Sequence, residues 1–156
     1  NDFLFPQIIK QQEKLTKQIN KIELNFNTPI KQLLWVITDH DVLDDDINFN
    51  SFSKARLLLN NGKNENTMNY YSSDYYKILQ TYYNGNRYSG KNIFSYSFAL
   101  QPFYGHPTGS IDFSKLQTKI LEIQGSELKN KWITIYACGI NILQTNESKS
   151  QVKINM

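Results

Sequence analysis

The chain has 156 residues, a formal net charge of +3 and an aromatic fraction of 13%, including ten Tyr and nine Phe. A chain of this length forms one domain, predicted over residues 1–156, which buries roughly 70% of its unfolded surface without needing a disulfide or metal. Seventeen cations against fourteen anions do not make a nucleic-acid-binding protein, no apolar run is long enough to cross a membrane, and a single Cys excludes an internal disulfide.

The N-terminal segment fits two different predictions. Residues 1–5 are mostly apolar and are interrupted by Pro6. In residues 7–20, apolar side chains recur at helical spacing between Lys, Gln and Glu, which favours a helix. The same residues also fit two strands that are joined by a polar turn at residues 11–14. The residue pattern alone leaves both alternatives open.

Clearer strand signals begin at Ile22. Apolar and polar residues alternate from Ile22 to Phe26, and residues 30–38 predict a strand with Trp35 as a core ring. An acidic loop at residues 39–46, a short apolar strand at residues 55–59 and an Asn- and Gly-containing turn at residues 60–64 follow.

A tyrosine-rich helix is predicted next, capped by Ser72 or Ser73 and ended by the Asn-Gly-Asn sequence at residues 84–86. Its tyrosines are candidate interface residues, because Tyr is enriched at protein interfaces. The alternative is that half of these rings cover the fold's own core. The candidates are Tyr75, Tyr76, Tyr82 and Tyr83.

The strand that starts at Ile93 alternates large and small residues and is predicted to stop at Pro102, which has no N–H for a ladder. A turn-rich loop and a short strand at residues 110–113 follow, and residues 119–123 alternate again. Residues 131–143 are apolar on both faces, which places this strand between layers or under an interface. Residues 151–155 predict a polar last strand.

The number of short strands and turn signals predicts an all-β fold. The predicted architecture is an eight-stranded antiparallel jelly-roll sandwich with one short helix in an inter-strand connection.

No residue set predicts catalysis, a cofactor or a metal centre. His40 lies among five aspartates in the acidic loop, where a hydrated surface loop is favoured over a divalent cation site because the EF-hand glycine is missing. His106 lies between Gly105 and Pro107 and is interpreted as a turn residue. Cys138 is interpreted as a buried, unreactive thiol because no base or cation adjoins it in sequence.

Three segments resemble the major capsid proteins of the nucleocytoplasmic large DNA viruses. The first resembles the family's Phe-Ala-Leu-x-Pro strand end followed by Pro-Ser-Gly, with Thr108 where Ser is usual. Residues 24–36 resemble its Phe-Asn-His-Pro-x-Lys-Glu-Leu-x-Trp-Val stretch, with Thr28 in place of His, and residues 135–143 resemble its late strand. The residues that carry the resemblance are Pro29, Trp35, Phe98, Ala99, Leu100, Pro102, Pro107, Gly109 and Phe113.

The resemblance implies a fold, a function and partners. It implies the C-terminal half of a double jelly roll, consistent with a first residue that is Asn, and it favours strands over a helix in residues 7–20. It implies a structural, non-enzymatic capsid protein that trimerises into pseudo-hexagonal capsomers, which tile an icosahedral shell of a virion assembled in the host cytoplasm. The implied partners are the N-terminal jelly roll, the other trimer copies, neighbouring capsomers and minor capsid proteins, with no specific nucleic acid. Alternatives are a poxvirus-type scaffold trimer on an immature virion membrane and an unrelated glycan-binding jelly roll.

Overall fold

A computed structural model describes residues 2–41, 48–62, 65–102, 108–145 and 152–154. The described residues form eleven strands and one short helical segment. The strands are β1 (Asp2–Lys14), β2 (Ile19–Glu23), β3 (Pro29–Thr38), β4 (Lys54–Asn60), β5 (Glu65–Thr67), β6 (Tyr71–Ser72), β7 (Phe94–Ser97), β8 (Ile111–Asp112), β9 (Thr118–Gln124), β10 (Trp132–Thr145) and β11 (Val152–Ile154). A π-helical turn, Tyr75–Leu79, continues into α1, Gln80–Tyr83, and a 3₁₀ turn spans Phe113–Lys115.

The strands form two antiparallel sheets. The first sheet has the order β1-β10-β3-β7, with β11 paired to β10 and β8 paired to β3. The second has the order β2-β9-β4-β5, with β6 paired to β4. Each sheet contains four main strands, and strands that follow one another along the chain mostly alternate between the two sheets, which is the jelly-roll arrangement. The predicted all-β class is confirmed. The three short strands outside the main strands account for the higher strand count.

The core lies between the sheets and contains a cluster of aromatic rings. Trp35 is fully buried on β3, with its ring centroid 5.1 Å from that of Tyr76 and 6.1 Å from that of Phe94. Phe52 packs at 4.5 Å from Phe94. Stacked and tilted aromatic pairs of this kind add about 0.5–1.5 kcal/mol each beyond area burial. The full burial of Trp35 confirms its predicted core role.

The first strand is longer than predicted. β1 pairs with β10 continuously from Asp2 to Lys14 and passes through Pro6, so the expected interruption at Pro6 is wrong. β1 is an edge strand in the described sheet, where a residue without an N–H is tolerated. The turn falls at residues 15–18 rather than at residues 11–14, and Asn20 holds it by accepting hydrogen bonds from the N–H groups of Thr16 and Lys17.

β7 ends earlier than predicted. It stops at Ser97 instead of continuing to Pro102. The Ser97 hydroxyl donates to the Ala99 carbonyl at 2.6 Å and accepts from the Ala99 N–H at 3.2 Å. Such a local side-chain loop competes with the sheet ladder, and Leu100 consequently lies 82% exposed.

The helical segment ends where the sequence predicts. The N–H of Gly85 donates to the Tyr82 carbonyl and the N–H of Asn86 donates to the Thr81 carbonyl, both at 3.0 Å. These two bonds form a Schellman motif. At the other end helical backbone begins at Ser73, where the sequence places the cap, and passes through Asp74 into the π-helical turn.

Candidate functional site

The outer face of the first sheet carries an apolar stripe along β1 and β10. The register places Leu4 beside Ile142, and Ile8 beside Cys138. Leu4 is 57% exposed, Ile8 is 70% exposed and Ile142 is 39% exposed. The neighbouring β10 side chain Ile140 is half-buried on the same face. We call this stripe the β1–β10 face. That the strand at residues 131–143 lies between layers or under an interface stays a prediction.

The outer face of the second sheet carries a buried ion pair. Glu122 has a side chain only 4% exposed, and it pairs with Arg56 at 3.2 Å between Nη2 and Oε2. The Tyr70 hydroxyl also donates to Glu122, and the Arg56 guanidinium lies 4.4 Å from the Tyr70 ring centroid. Burial alone would raise the pKa of Glu122, but hydrogen bonds from Tyr70 and Arg56 and the Arg56 charge together lower it below its ordinary value. This ion pair is satisfied within the sheet.

A second exposed apolar surface lies on the helical segment. The helical segment packs against β7, where Gln80 Oε1 accepts a hydrogen bond from the Ser97 N–H at 3.1 Å. The exposed fractions are 40% for Ile78, 45% for Leu79, 74% for Tyr82 and 67% for Tyr83, and we call these four residues the helical patch. An aromatic side chain carries about 150–250 Å², so the two tyrosines alone expose roughly 200–350 Å².

The four predicted interface tyrosines divide between this surface and the core. Tyr82 and Tyr83 are exposed, as an interface role requires. Tyr76 instead lies in the core at 0% exposure, where its hydroxyl donates to the Ala55 carbonyl at 2.9 Å. Tyr75 is half-buried with its ring stacked 4.2 Å from that of Tyr71. Sequence reasoning missed Ile78 and Leu79, although each precedes an exposed tyrosine by four residues, which is the spacing of neighbours on one helix face.

The family-motif residues shape the fold around β3 and the 3₁₀ turn. Phe113 is fully buried, with its ring 5.8 Å from that of Phe98. Gly109 has φ +141°, and a Cβ there would lie 2.9 Å from the Phe98 carbonyl oxygen, so only glycine fits. The remaining motif residues vary in placement, and Pro107 lies outside the described residues. Pro29 is half-buried at the start of β3, Trp35, Ala99 and Pro102 are buried, and Leu100 is exposed.

A bulge between β3 and β10, with Lys31 of β3 as the extra residue, brings two of the resembling segments together. The register with β3 shifts between Cys138 and Gly139. A Cβ on Gly139 would lie 2.8 Å from the Pro29 carbonyl oxygen and 3.3 Å from Thr28 Oγ1, so the backbones approach as closely as a glycine allows. The bulge thus links the Pro29 stretch to the late strand.

The other candidate groups have ordinary surroundings. Asp39 Oδ1 accepts from Lys131 at 2.6 Å and from Asn50 at 3.0 Å, and these bonds lower its pKa. His40 is exposed, and burial raises the pKa of the half-buried Cys138 thiol. Residues 42–47 and His106 lie outside the described residues. Within the described ranges, no cluster of three or more His, Cys, Asp or Glu side chains is placed to hold a metal ion, and no helix has the length and apolarity to cross a membrane.

Comparison with known proteins identifies the family. A family model described as large eukaryotic DNA virus major capsid protein matches residues 5–154. The chain belongs to this family. The curated major capsid protein of Pyramimonas orientalis virus is 28% identical, with the match covering 80% of this chain and 36% of that protein.

Solved capsid structures share the fold. PBCV-1 VP54, fitted into a reconstruction of the virophage Sputnik, matches with a TM-score of 0.74 and 16% identity, covering all of this chain and 51% of that chain. The Faustovirus major capsid protein matches with a TM-score of 0.76 and 10% identity, covering 93% of this chain and 34% of that chain. The chain thus spans about half or less of the length of these capsid relatives.

Proposed function

We propose that the chain is the C-terminal jelly roll of a double-jelly-roll major capsid protein and that its function is assembly. Three copies of such a protein would place six similar blocks around a threefold axis, so that a trimer fills a sixfold position in an icosahedral shell. The observation that carries the proposal is the match of residues 5–154 to the capsid family. The proposal includes a place in the virion capsid, assembly in the host cytoplasm, and contacts with neighbouring capsomers and minor capsid proteins.

The β1–β10 face is the proposed contact with the N-terminal jelly roll. Matched capsid proteins are about twice as long as this chain or longer, which supports a second block of the same polypeptide. An exposed apolar stripe on a sheet is typical of an interaction surface, whereas the paired charges on the second sheet need no partner.

The helical patch is the proposed contact with the next polypeptide of the trimer. In the first sheet β1 and β7 are at opposite ends of the strand order, and the helical segment packs against β7. A block with two different contact surfaces at opposite edges makes head-to-tail contacts, which close into rings. Both surfaces would then be buried in one capsomer.

Co-expression with a companion N-terminal jelly roll tests this function. Native mass spectrometry is expected to find a complex with three copies of each half. Ile8→Asp on the β1–β10 face is expected to abolish the complex, whereas Ile19→Asp, on the outer face of the second sheet and 51% exposed, is the matched control that leaves it intact. A stable lone monomer of the unaltered chain in the presence of the companion half would contradict the proposal.

A further inference from the structure

A cavity of about 160 Å³, lined by both polar and apolar side chains, lies between the helical segment and the outer face of the first sheet. We propose that this cavity binds a carboxylate, namely an Asp or Glu side chain of the neighbouring capsid jelly roll. The source of the carboxylate rests on the proposed function, whereas the preference of the cavity for a carboxylate rests on its own walls. We call it the helix–sheet cavity. It is lined by Gln32, Leu34, Lys77, Thr81, Asn84, Asn86, Arg87, Tyr88, Ser89, Ile93 and Ser95.

The floor of the cavity contains buried polar side chains without protein partners. Gln32 on β3 is 2% exposed and Ser95 on β7 is 5% exposed, and the described residues offer no hydrogen bond to either side chain. Asn84 Nδ2 is a buried donor that likewise has no hydrogen-bond partner. Buried polar groups are nearly always hydrogen-bonded, so the unpartnered Asn84 donor, beside the buried side chains of Gln32 and Ser95, points to a polar occupant.

The charge of the walls selects the occupant. The Lys77 ammonium lies 3.3 Å from Asp74 Oδ1, 3.3 Å from Asn92 Oδ1 and 5.7 Å from the centroid of the Tyr88 ring. Asp74 has a side chain 70% exposed and is not among the lining residues. Arg87 is exposed and forms no ion pair with another described residue. Two cations against one outlying carboxylate leave the cavity with a net positive charge.

A carboxylate matches these walls better than water or a neutral amide. The carboxylate group only accepts hydrogen bonds, and Lys77, Arg87 and Asn84 Nδ2 offer only donors. Hydrogen bonds with charged partners are about twice as strong as neutral ones. With about 30 Å³ for each water molecule, the volume holds a carboxylate with its attached carbon.

The position of the cavity explains how a partner would deliver the group. Thr81 and Asn84 line the cavity, and Tyr82 and Tyr83 on the same helical segment are exposed. Thr81 and Asn84 lie three residues apart on one helix face, whereas Tyr82 and Tyr83 lie on other faces of the segment, so the neighbouring jelly roll must extend past the two tyrosines to reach the cavity. The inferred partner surface is apolar with one acidic side chain.

NMR titration of the ¹⁵N-labelled chain with acetate tests the assignment. Saturable shifts of the Asn84, Arg87 and Ser95 amide signals are expected, with a dissociation constant of about 1–50 mM. Arg87→Gln is expected to weaken binding about threefold to tenfold. The matched control, Lys91→Gln, removes an exposed cation that does not line the cavity, and it is expected to leave binding unchanged.

The control ligands are acetamide and chloride at the same ionic strength. Equal shifts with acetamide, equal loss in both variants, or no saturable shift with acetate would each overturn carboxylate binding. If acetate does not bind but the co-expressed halves still form a trimer, this inference fails and the proposed function stands. If acetate binds as expected but no trimer forms, the capsid source of the carboxylate is overturned.

Discussion

The hydroxyl of Tyr76 connects the helical segment to the second sheet. Its ring is fully buried against Trp35 and Phe52, and its hydroxyl donates to the Ala55 carbonyl on β4 at 2.9 Å. Tyr76→Phe keeps the ring and removes only this hydrogen bond. The helical patch is then held by apolar packing and the remaining hydrogen bonds alone.

The expected loss follows from the burial of both partners. A neutral hydrogen bond contributes about 0.5–1.5 kcal/mol, and an acceptor left unsatisfied in the interior costs up to about 1–3 kcal/mol. Ala55 is fully buried, although its strand also pairs with β6 and β9. We therefore expect the free energy of unfolding to fall by about 1–2 kcal/mol, which lowers the Tm of a chain of this size by about 2–8 °C.

Urea unfolding followed by circular dichroism measures this loss, with Tyr83→Phe as the control. Tyr83 is 67% exposed, so its variant is expected to stay within about 0.5 kcal/mol of the unaltered chain.

Burial raises the pKa of Tyr76 above its ordinary value of 10.0, so the stability it contributes is present below pH 10.0 and is lost as pH rises further. Tyr76→Phe should therefore lose less stability than the unaltered chain at alkaline pH. Equal free energies of unfolding of Tyr76→Phe and Tyr83→Phe at neutral pH would refute the buried hydrogen bond.

Three further changes test other parts of the structure. Gly139→Ala forces a Cβ to within 2.8 Å of the Pro29 carbonyl oxygen and is expected to lower the free energy of unfolding by about 1–3 kcal/mol; an unchanged urea midpoint would contradict the tight bulge. Glu122→Gln is expected to destabilise the chain at neutral pH. Because the pKa of Glu122 is lowered in the fold, the Tm values of the variant and the unaltered chain should converge as pH falls below the ordinary pKa of 4.5. A constant Tm difference at all pH values would contradict the charged pair. Ile8→Asp and Ile19→Asp should each leave the isolated chain within about 0.5 kcal/mol of the original in urea unfolding, because both side chains are exposed; a large loss from Ile8→Asp would show that the β1–β10 face is part of the core.

The sequence predicts the fold well where burial follows a strict alternation. Ile22 in β2, and Leu24 and Phe26 beyond its end at Glu23, alternate with polar residues and are all buried, and Trp35 lies in the core as expected. In an extended chain the side-chain period alone fixes which face is buried.

The errors occur where a local signal competes with tertiary contacts. Pro6 suggests a strand end, but at a sheet edge its missing N–H is tolerated and β1 continues. Pro102 suggests the end of β7, but the Ser97 hydroxyl ends the strand earlier through bonds that no periodicity reports. Helical spacing in residues 7–20 is overridden by thirteen residues of pairing with β10.

The candidate surfaces were only partly accessible to sequence reasoning. Tyrosine content indicates a contact surface, but it does not separate Tyr82 on the surface from Tyr76 in the core, since that depends on how the π-helical turn rotates the segment. The helix–sheet cavity combines residues from β3, β7 and the connection between them. Gln32 and Ser95 have no signal in the sequence, because only the pairing of Gln32 with Ser97 and of Leu34 with Ser95 places them as diagonal neighbours on one face.

A cryo-EM reconstruction of particles formed by the full-length capsid protein tests the central claim most directly. The account predicts that this jelly roll alternates with a second one around a threefold axis, with Ile8 buried against the companion block and Tyr82 buried against the next polypeptide. A reconstruction in which both side chains face solvent, or in which this domain is absent from the shell, would contradict it.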